Sequence, residues 1–193
     1  MREQDQPHPI GEAAGGLRSI PTDPVDRIVA EHTWQLELCD ALEYIADGLP
    51  DSIDRRLVRE VIAILGHGLE AHFRAEEQLL FPLLRQRGGG EPSLVAALDQ
   101  LEMEHVRDED VSSELLEELT FVAEHGRARN ADMLGYMLRG FFEGQRRHIG
   151  WENAVVVPAA RRLLLEDDLK SLSELQGRTS SRLSGFRKPP RQV

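Results

Sequence analysis

A motif made of a histidine, a glutamate four residues later and a proline six residues after the glutamate occurs twice in the chain, 76 residues apart. A further histidine precedes each copy of this motif by about forty residues. In chain order the six residues are His32, His72, Glu76, His105, His148 and Glu152. A fold that accommodates both copies must bring two equivalent halves together, because neither motif alone supplies more than a weak contact between neighbouring side chains.

The residues around these motifs show helical periodicity. Apolar side chains recur every three or four residues in four long segments, and the six repeated residues fall on the same faces. Short breaks rich in glycine, proline or aspartate separate the segments. The sequence therefore predicts an all-α, up-down-up-down four-helix bundle, with a short additional helix near residues 169–176.

Composition and charge set the limits of this prediction. We expect a disordered N-terminal segment at residues 1–23, the bundle at 24–168, and the short helix with a basic tail at 169–193. A net charge of −11 argues against binding to nucleic acid, and no apolar run is long enough to cross a membrane. The single cysteine, Cys39, fits a reducing compartment, so we expect a cytoplasmic protein. The oligomeric state stays open.

The spacing of the four histidines predicts one shared site. Each histidine lies about 20 residues from the turn that joins its helix to the other helix of the same half, roughly 30 Å at 1.5 Å per residue. Each half therefore delivers two imidazoles and one carboxylate to the same level of the core. Buried groups of this kind are costly unless they are paired, and two metal ions bridged by the glutamates would pair them. Mixed imidazole and carboxylate ligands suit iron, with manganese or zinc as alternatives.

Simpler interpretations exist for several of these residues. Pro82 and Pro158 would bend or end their helices without binding anything. Glu31 and Glu104 are either surface acids or acceptors for the histidines next to them, whereas Glu77 points off the apolar face and favours a salt bridge. Asp108 interrupts the apolar face of the third helix, which indicates either a polar access channel or local fraying. We expect His67 to face a neighbouring helix or solvent.

The ordered set of residues resembles the hemerythrin-like family, also called the HHE cation-binding domain. The matching pattern covers roughly residues 23–166 and includes the Phe-Pro and Val-Pro pairs that end at Pro82 and Pro158. This resemblance implies a four-helix bundle around a non-haem di-iron centre with bridging carboxylates. Related centres bind dioxygen, sense oxygen or iron, or react with peroxide or nitric oxide. Ferritin-like bundles carry the opposite order, Glu-x-x-His, which argues against them.

One position departs from the oxygen-carrying members of this family. The resemblance implies that those members have a site with five histidines, in which an extra histidine follows the third ligand by four residues. Glu109 stands at that position in this chain. This difference disfavours simple reversible oxygen transport. The leading hypothesis is a protein that binds or senses oxygen or a related small molecule, and the alternative is an oxidoreductase that decomposes peroxide or handles nitric oxide. Iron storage and a metal-free structural bundle are weaker possibilities.

Overall fold

The computed structural model describes residues 21–66 and 68–179, and within these residues the protein contains helices and no strands. In this described part of the chain, eight α-helices and two short π-helical turns follow one another. Their bounds are α1 Pro24–Gly48, α2 Arg55–Leu65, α3 Gly68–Ala75, a first π turn Glu76–Leu80, α4 Phe81–Gly88, α5 Pro92–His125, α6 Ala131–Trp151, a second π turn Glu152–Val156, α7 Val157–Leu163 and α8 Glu166–Thr179. The all-α prediction is therefore confirmed. The predicted disorder before residue 21 and the basic tail after residue 179 lie outside the described residues.

Polar side chains and one glycine set the ends of the main helices. The carboxylate of Asp23 accepts hydrogen bonds from the first backbone amides of α1, and Asp54 does the same for α2. The side chain of Asn130 accepts a hydrogen bond from the first turn of α6 at 3.0 Å. Gly126, with φ of 71°, ends α5 in the left-handed conformation that glycine adopts without steric cost.

Two of the four predicted long helices are interrupted at the repeated motif. Glu76 and Glu152 each begin a π turn, and their carbonyls accept a hydrogen bond from the amide five residues later. Pro82 and Pro158 follow immediately, and a proline has no N–H with which to continue the α-helical pattern. The wider turn lets each helix continue past its proline. The prolines therefore do not end the helices, because a π turn precedes each of them. Such π turns are frequent at functional sites.

Ion pairs show how α1 and α6 run relative to each other. Arg146 donates to Asp40 at 2.9 Å and to Glu43 at 2.6 Å, and Arg139 donates to Asp47 at 2.8 Å. Residue numbers rise along α1 as they fall along α6, so the two helices are antiparallel. This arrangement brings the level of His32 close to that of the second motif.

The apolar core consists of two separate clusters. One cluster includes Leu42, Val58, Leu119 and Leu138, and it lies towards the turns at residues 49–54 and 126–130. The other cluster includes residues of the N-terminal part of α1, of α4 and α7, and of the first turns of α5. Along each long helix, the repeated histidines and glutamates come between the residues of one cluster and the residues of the other. The polar level is therefore enclosed by hydrophobic packing on both sides.

The last described helix, α8, packs onto the bundle. Leu172 is fully buried, and the side-chain amide of Gln176 donates to the carbonyl of Pro24 at 3.0 Å. Arg87 forms a bidentate ion pair with Asp168. The helix predicted at residues 169–176 is thus longer, and the predicted domain boundary after residue 168 falls inside it. None of the helices within the described residues has the length and apolarity that crossing a membrane requires.

Candidate metal centre

The structure brings together all six residues of the repeated motif. They come from α1, α3, α5, α6 and the first residue of each π turn. Every one of them is at most 2 % exposed, namely His32, His72, Glu76, His105, His148 and Glu152. Six titratable side chains at one level of a hydrophobic interior form an unusual arrangement, because burial of such groups costs free energy unless partners compensate it.

The six side chains form two groups that share both glutamates. The first candidate metal position is formed by His32, His72, Glu76 and Glu152, and the second by His105, His148 and the same two glutamates. Within each group, one ligand atom from every residue lies within 4.8 Å of the others. This spacing is compatible with one ion in each group, and carboxylates shared between the groups can bridge two ions.

The contacts of the two glutamates cross between the halves of the chain. Glu76 Oε2 lies 3.4 Å from His72 Nε2 and 3.5 Å from His105 Nε2. Glu152 Oε2 lies 3.1 Å from His32 Nε2, and its Oε1 lies 3.3 Å from His148 Nε2. Each carboxylate therefore faces one imidazole of each position.

The polar atoms that face this centre test whether a cation fits. Among the described residues, the inward nitrogens of His32 and His72 and all four carboxylate oxygens of Glu76 and Glu152 are buried without a hydrogen-bond partner. Four oxygens that only accept and imidazole nitrogens with free lone pairs need a positive charge rather than another protein group. The donor set therefore fits divalent or trivalent cations, and imidazole with carboxylate is a set that iron accepts.

Each of the four histidines is fixed by a hydrogen bond from its outward nitrogen. His72 Nδ1 lies 2.8 Å from Glu31 Oε2, and His148 Nδ1 lies 3.0 Å from Glu104 Oε2. A carboxylate accepts and does not donate, so Nδ1 carries the hydrogen and Nε2 keeps its lone pair. Partners of this kind orient metal-binding histidines and make them better ligands.

The remaining two histidines follow the same rule with a different pair of acceptors. His105 Nδ1 lies 2.9 Å from Glu77 Oε1, and His32 Nδ1 lies 2.9 Å from Asn153 Oδ1. Glu77 and Asn153 each follow a shared glutamate directly in the sequence. Three of the four outward partners are thus carboxylates, and the fourth is a neutral amide.

Two expectations about these partners require correction. Glu31 and Glu104 do not hold the adjacent histidines, because each accepts from a histidine on another helix instead. Glu77 does pair with a basic group as expected, but that group is His105 of the centre. Asn153 was not identified from the sequence. Its position one residue after Glu152, equivalent to that of Glu77 after Glu76, is the signal that would have found it.

The facing imidazoles of the second position also need a cation. His105 Nε2 and His148 Nε2 lie only 3.1 Å apart, and both rings donate from Nδ1 to glutamates. Two lone pairs at this distance repel each other unless a proton or a metal ion lies between them. A metal ion there would bind both rings at once.

Burial and neighbouring charges move the pKa values of the centre in opposite directions. Burial, followed by repulsion from Glu152, raises the pKa of Glu76 well above its ordinary value. Burial also opposes ionisation of Glu152, but contacts with His148 and His32 outweigh it and hold the pKa of Glu152 well below the ordinary range. The two shared carboxyls therefore differ in their affinity for a proton, and a bound cation would favour the ionised form of both.

The two histidines of the second position differ in the same way. Burial, then repulsion from His148, lowers the pKa of His105 to about 3, so this imidazole is neutral and available to a metal at neutral pH. Burial also acts against protonation of His148, but its contacts with Glu152 and Glu104 prevail and raise its pKa. His105 is further enclosed by the stacked rings of Phe73, with centroids 4.0 Å apart, and Phe81, at 5.8 Å.

A polar group lies one helical turn from the centre, towards the turns at residues 49–54 and 126–130. Gln145 Nε2 donates to Asp108 Oδ2 at 2.7 Å, and both side chains are buried. The Arg107 guanidinium, which is half exposed, contacts the other carboxylate oxygen of Asp108 at 3.3 Å. Because α5 is continuous from Pro92 to His125, fraying at Asp108 is excluded and its role as an access channel stays a prediction.

The other candidate residues do not join the centre. Glu109, at the position of the carriers' extra histidine, is exposed. The ring of His125 stacks on Phe121 at the end of α5. His67 and His8 lie outside the described residues, so the expectation for His67 stays untested.

Comparison with known proteins agrees with the geometry. The family model of the hemerythrin HHE cation binding domain matches residues 23–160, which include all six residues of the centre. A search of curated proteins gave no match.

Proposed function

The chain belongs to the hemerythrin HHE cation-binding domain family, and we propose that it is a non-haem di-iron protein that binds or senses oxygen or a related small molecule. In this proposal His32 and His72 would hold one iron, His105 and His148 would hold the other, and Glu76 and Glu152 would be shared between them. Manganese or zinc are the alternative ions. The up-down-up-down order of four helices is part of the same proposal, and the antiparallel ion pairs between α1 and α6 support it.

One observation carries the proposal. Two groups of buried ligand atoms share both glutamates, and among the described residues the carboxylate oxygens that face inwards have no hydrogen-bond partner. A single ion would leave the imidazoles of the other position unsatisfied. Two ions would use every inward atom of the six residues.

The ligand count indicates what such a centre can do. Each position offers two imidazoles and up to two carboxylate oxygens, so an octahedral ion would keep positions for solvent and for an external ligand. A pair of bound irons supplies reversible one-electron chemistry at those positions. The protein's own part is to hold the histidines through Glu31, Glu77, Glu104 and Asn153, and to exclude bulk water by burial.

The second candidate function is that of an oxidoreductase acting on peroxide or nitric oxide. The observation that favours it is the hydrogen-bonded series Arg107, Asp108 and Gln145, which leads from the half-exposed guanidinium to the turn next to His148. Such a series provides polar side chains beside the centre that can orient a small polar substrate, which reversible binding of dioxygen does not require.

Elemental analysis tests the metal assignment directly. The protein should be purified without chelators, and its iron, manganese and zinc should be measured against protein concentration. We expect two iron ions per chain, and a protein free of all three metals after iron reconstitution would contradict the proposal. Gas evolution from peroxide, compared with free iron at the same concentration, then separates the enzymatic candidate from the binding one.

We also expect the protein to act in the cytoplasm. Its expected partner is a small molecule, and we expect it to bind neither nucleic acid nor a membrane. The buried thiol of Cys39 supports this expectation, because a reduced cysteine is stable in a reducing compartment.

A further inference from the structure

Two buried glutamines lie beside the metal positions with polar atoms that nothing in the protein satisfies. Gln35 follows His32 by three residues on α1, and Gln145 precedes His148 by three residues on α6. Residues three apart on a helix share a face, so each amide lies one turn, about 4.5 Å along the axis, from a histidine of the centre. Because the two helices are antiparallel, both glutamines lie on the same side of their histidines along the axis of the bundle.

Their burial makes the missing partners significant. Gln35 is 1 % exposed and Gln145 is 2 % exposed. Within the described part of the chain, neither Nε2 nor Oε1 of Gln35 has a hydrogen-bond partner, and Oε1 of Gln145 also lacks one. Buried amides left in this state cost free energy, so they indicate a bound molecule that satisfies them.

Asp108 decides which atom of Gln145 is free. The Gln145 amide nitrogen donates to Oδ2 of Asp108 at 2.7 Å, and the Arg107 guanidinium donates to Oδ1 of the same side chain at 3.3 Å. The atom left over is therefore the Gln145 carbonyl oxygen, which can only accept. Its partner must carry an N–H or O–H group.

We propose that Gln145 and Gln35 form a subsite next to the metal positions for a small molecule that carries an O–H group, of which hydrogen peroxide is the simplest reactive member. Such a molecule donates to Gln145 Oε1 and accepts from Gln35 Nε2. Dioxygen and nitric oxide have no hydrogen to donate and would leave Gln145 unsatisfied. This inference rests on the proposed function and narrows its ligand to a protic one.

The test compares two probes on iron-loaded full-length protein. Hydrogen peroxide is the protic probe, and azide, which has no O–H group, is the control anion of similar size. Rapid mixing gives the first optical change of the iron centre as a function of probe concentration, before turnover begins. We expect Gln145→Leu to raise the half-saturating concentration of peroxide by about tenfold, as the loss of a buried hydrogen bond predicts, and to leave that of azide unchanged or lower.

Gln176→Leu provides a matched control. Gln176 is also a buried glutamine, but its Nε2 donates to the carbonyl of Pro24, far along α1 from Gln35. This variant should bind both probes as the wild type does. An unchanged half-saturation for peroxide in Gln145→Leu, or an equal weakening of azide, would overturn the subsite.

Gln35→Leu keeps the test valid if Gln145→Leu destabilises the fold by removing the partner of Asp108. It breaks no hydrogen bond within the described residues, so the metal-free variant should unfold at a temperature no lower than the wild type, while peroxide binding weakens. A drop of several degrees would show that the amide has a structural partner and would overturn its assignment. Iron content is measured first in every protein. A wild type without iron counts against the proposed function, whereas an iron-loaded protein indifferent to both substitutions counts only against the subsite.

Discussion

The two candidate metal positions have the same inward-facing side chains but different outer partners. In the second position His105 and His148 donate to two carboxylates, those of Glu77 and Glu104. In the first position His72 donates to Glu31, but His32 donates to the amide oxygen of Asn153. The repeat that makes the two halves alike is therefore broken at one residue.

This difference predicts that the two positions are not equivalent. A carboxylate that accepts from Nδ1–H pulls electron density towards Nε2 and makes the imidazole a stronger ligand, whereas a neutral amide does so less. The second position also has one more negative charge around it. We therefore expect it to hold its ion more tightly, and the first position to release its ion first.

The largest effect should come from the feature that the two positions share. Glu152→Gln removes one bridging carboxylate from both, so the iron content should fall from two to fewer than one ion per chain, measured by elemental analysis. Glu118→Gln is a matched control, because Glu118 is a largely buried acid of α5 that pairs with Arg129 outside the centre. Retention of one full iron by Glu152→Gln would show that the glutamate serves a single position.

Removal of one histidine should affect mainly its own position. His72→Ala and His148→Ala should each lower both the iron content and the thermal stability of the loaded protein, because a ligand bound only to the folded state adds to its stability. At an iron concentration about 100 times the dissociation constant this contribution is roughly 2.7 kcal/mol. The loss should be larger for His148→Ala, which damages the tighter position.

These two variants can be checked by comparing melting curves with and without a chelator. The metal-free proteins give the cost of the substitution itself, and the difference between the curves gives the part that depends on iron. An unchanged iron stoichiometry in either variant would contradict its assignment as a ligand.

Exchange of the outer partners should remove the inequivalence. Asn153→Asp has the same length as asparagine and places a carboxylate on His32, so the first position should bind iron about tenfold more tightly. Glu77→Gln should weaken the second position by a similar factor. We expect a chelator to remove iron from the wild type in two phases, and from each variant in one, slow for Asn153→Asp and fast for Glu77→Gln.

Glu102→Gln is the control for charge alone, since Glu102 pairs with Arg85 at the surface. It should keep both phases of the wild type. A single phase in the wild type would show that the amide of Asn153 does not distinguish the positions.

The sequence allowed the six residues of the centre to be predicted as one cluster because their signal is periodic. Helical spacing fixes which residues share a face, and the distance to each turn fixes their height, so His32 and Glu152 could be placed at one level without a structure. The same spacing could not assign Glu31 to His72. Adjacent residues on a helix point about 100° apart, so Glu31 had to pair across a helix interface whose rotation only packing determines.

The sequence pattern also could not predict the π turns. An identical offset of proline from Glu76 and Glu152 was visible, but it predicts only that the α-helical hydrogen bonds must change. Whether the helix bends, ends or widens depends on what packs around it, and here both helices continue because residues after each proline are buried in the second apolar cluster.

The smallest effect concerns the pH dependence of the metal-free protein, in which the two histidines of the second position act in opposite ways. The pKa of His105 is lowered to about 3 from 6.5, so between these values the unfolded chain binds a proton there that the folded chain does not. This histidine therefore makes the protein less stable as the pH falls, by up to about 1.4 kcal/mol per pH unit. His105→Gln should flatten that slope in urea unfolding with a chelator present.

The pKa of His148 is raised, so its contribution to stability is present below pH 6.5 and is lost as the pH rises through its folded value. His148→Gln should therefore flatten the stability curve on the alkaline side instead. Equal slopes in the wild type and both variants would mean that folding shifts the pKa of neither imidazole, and would contradict the prediction.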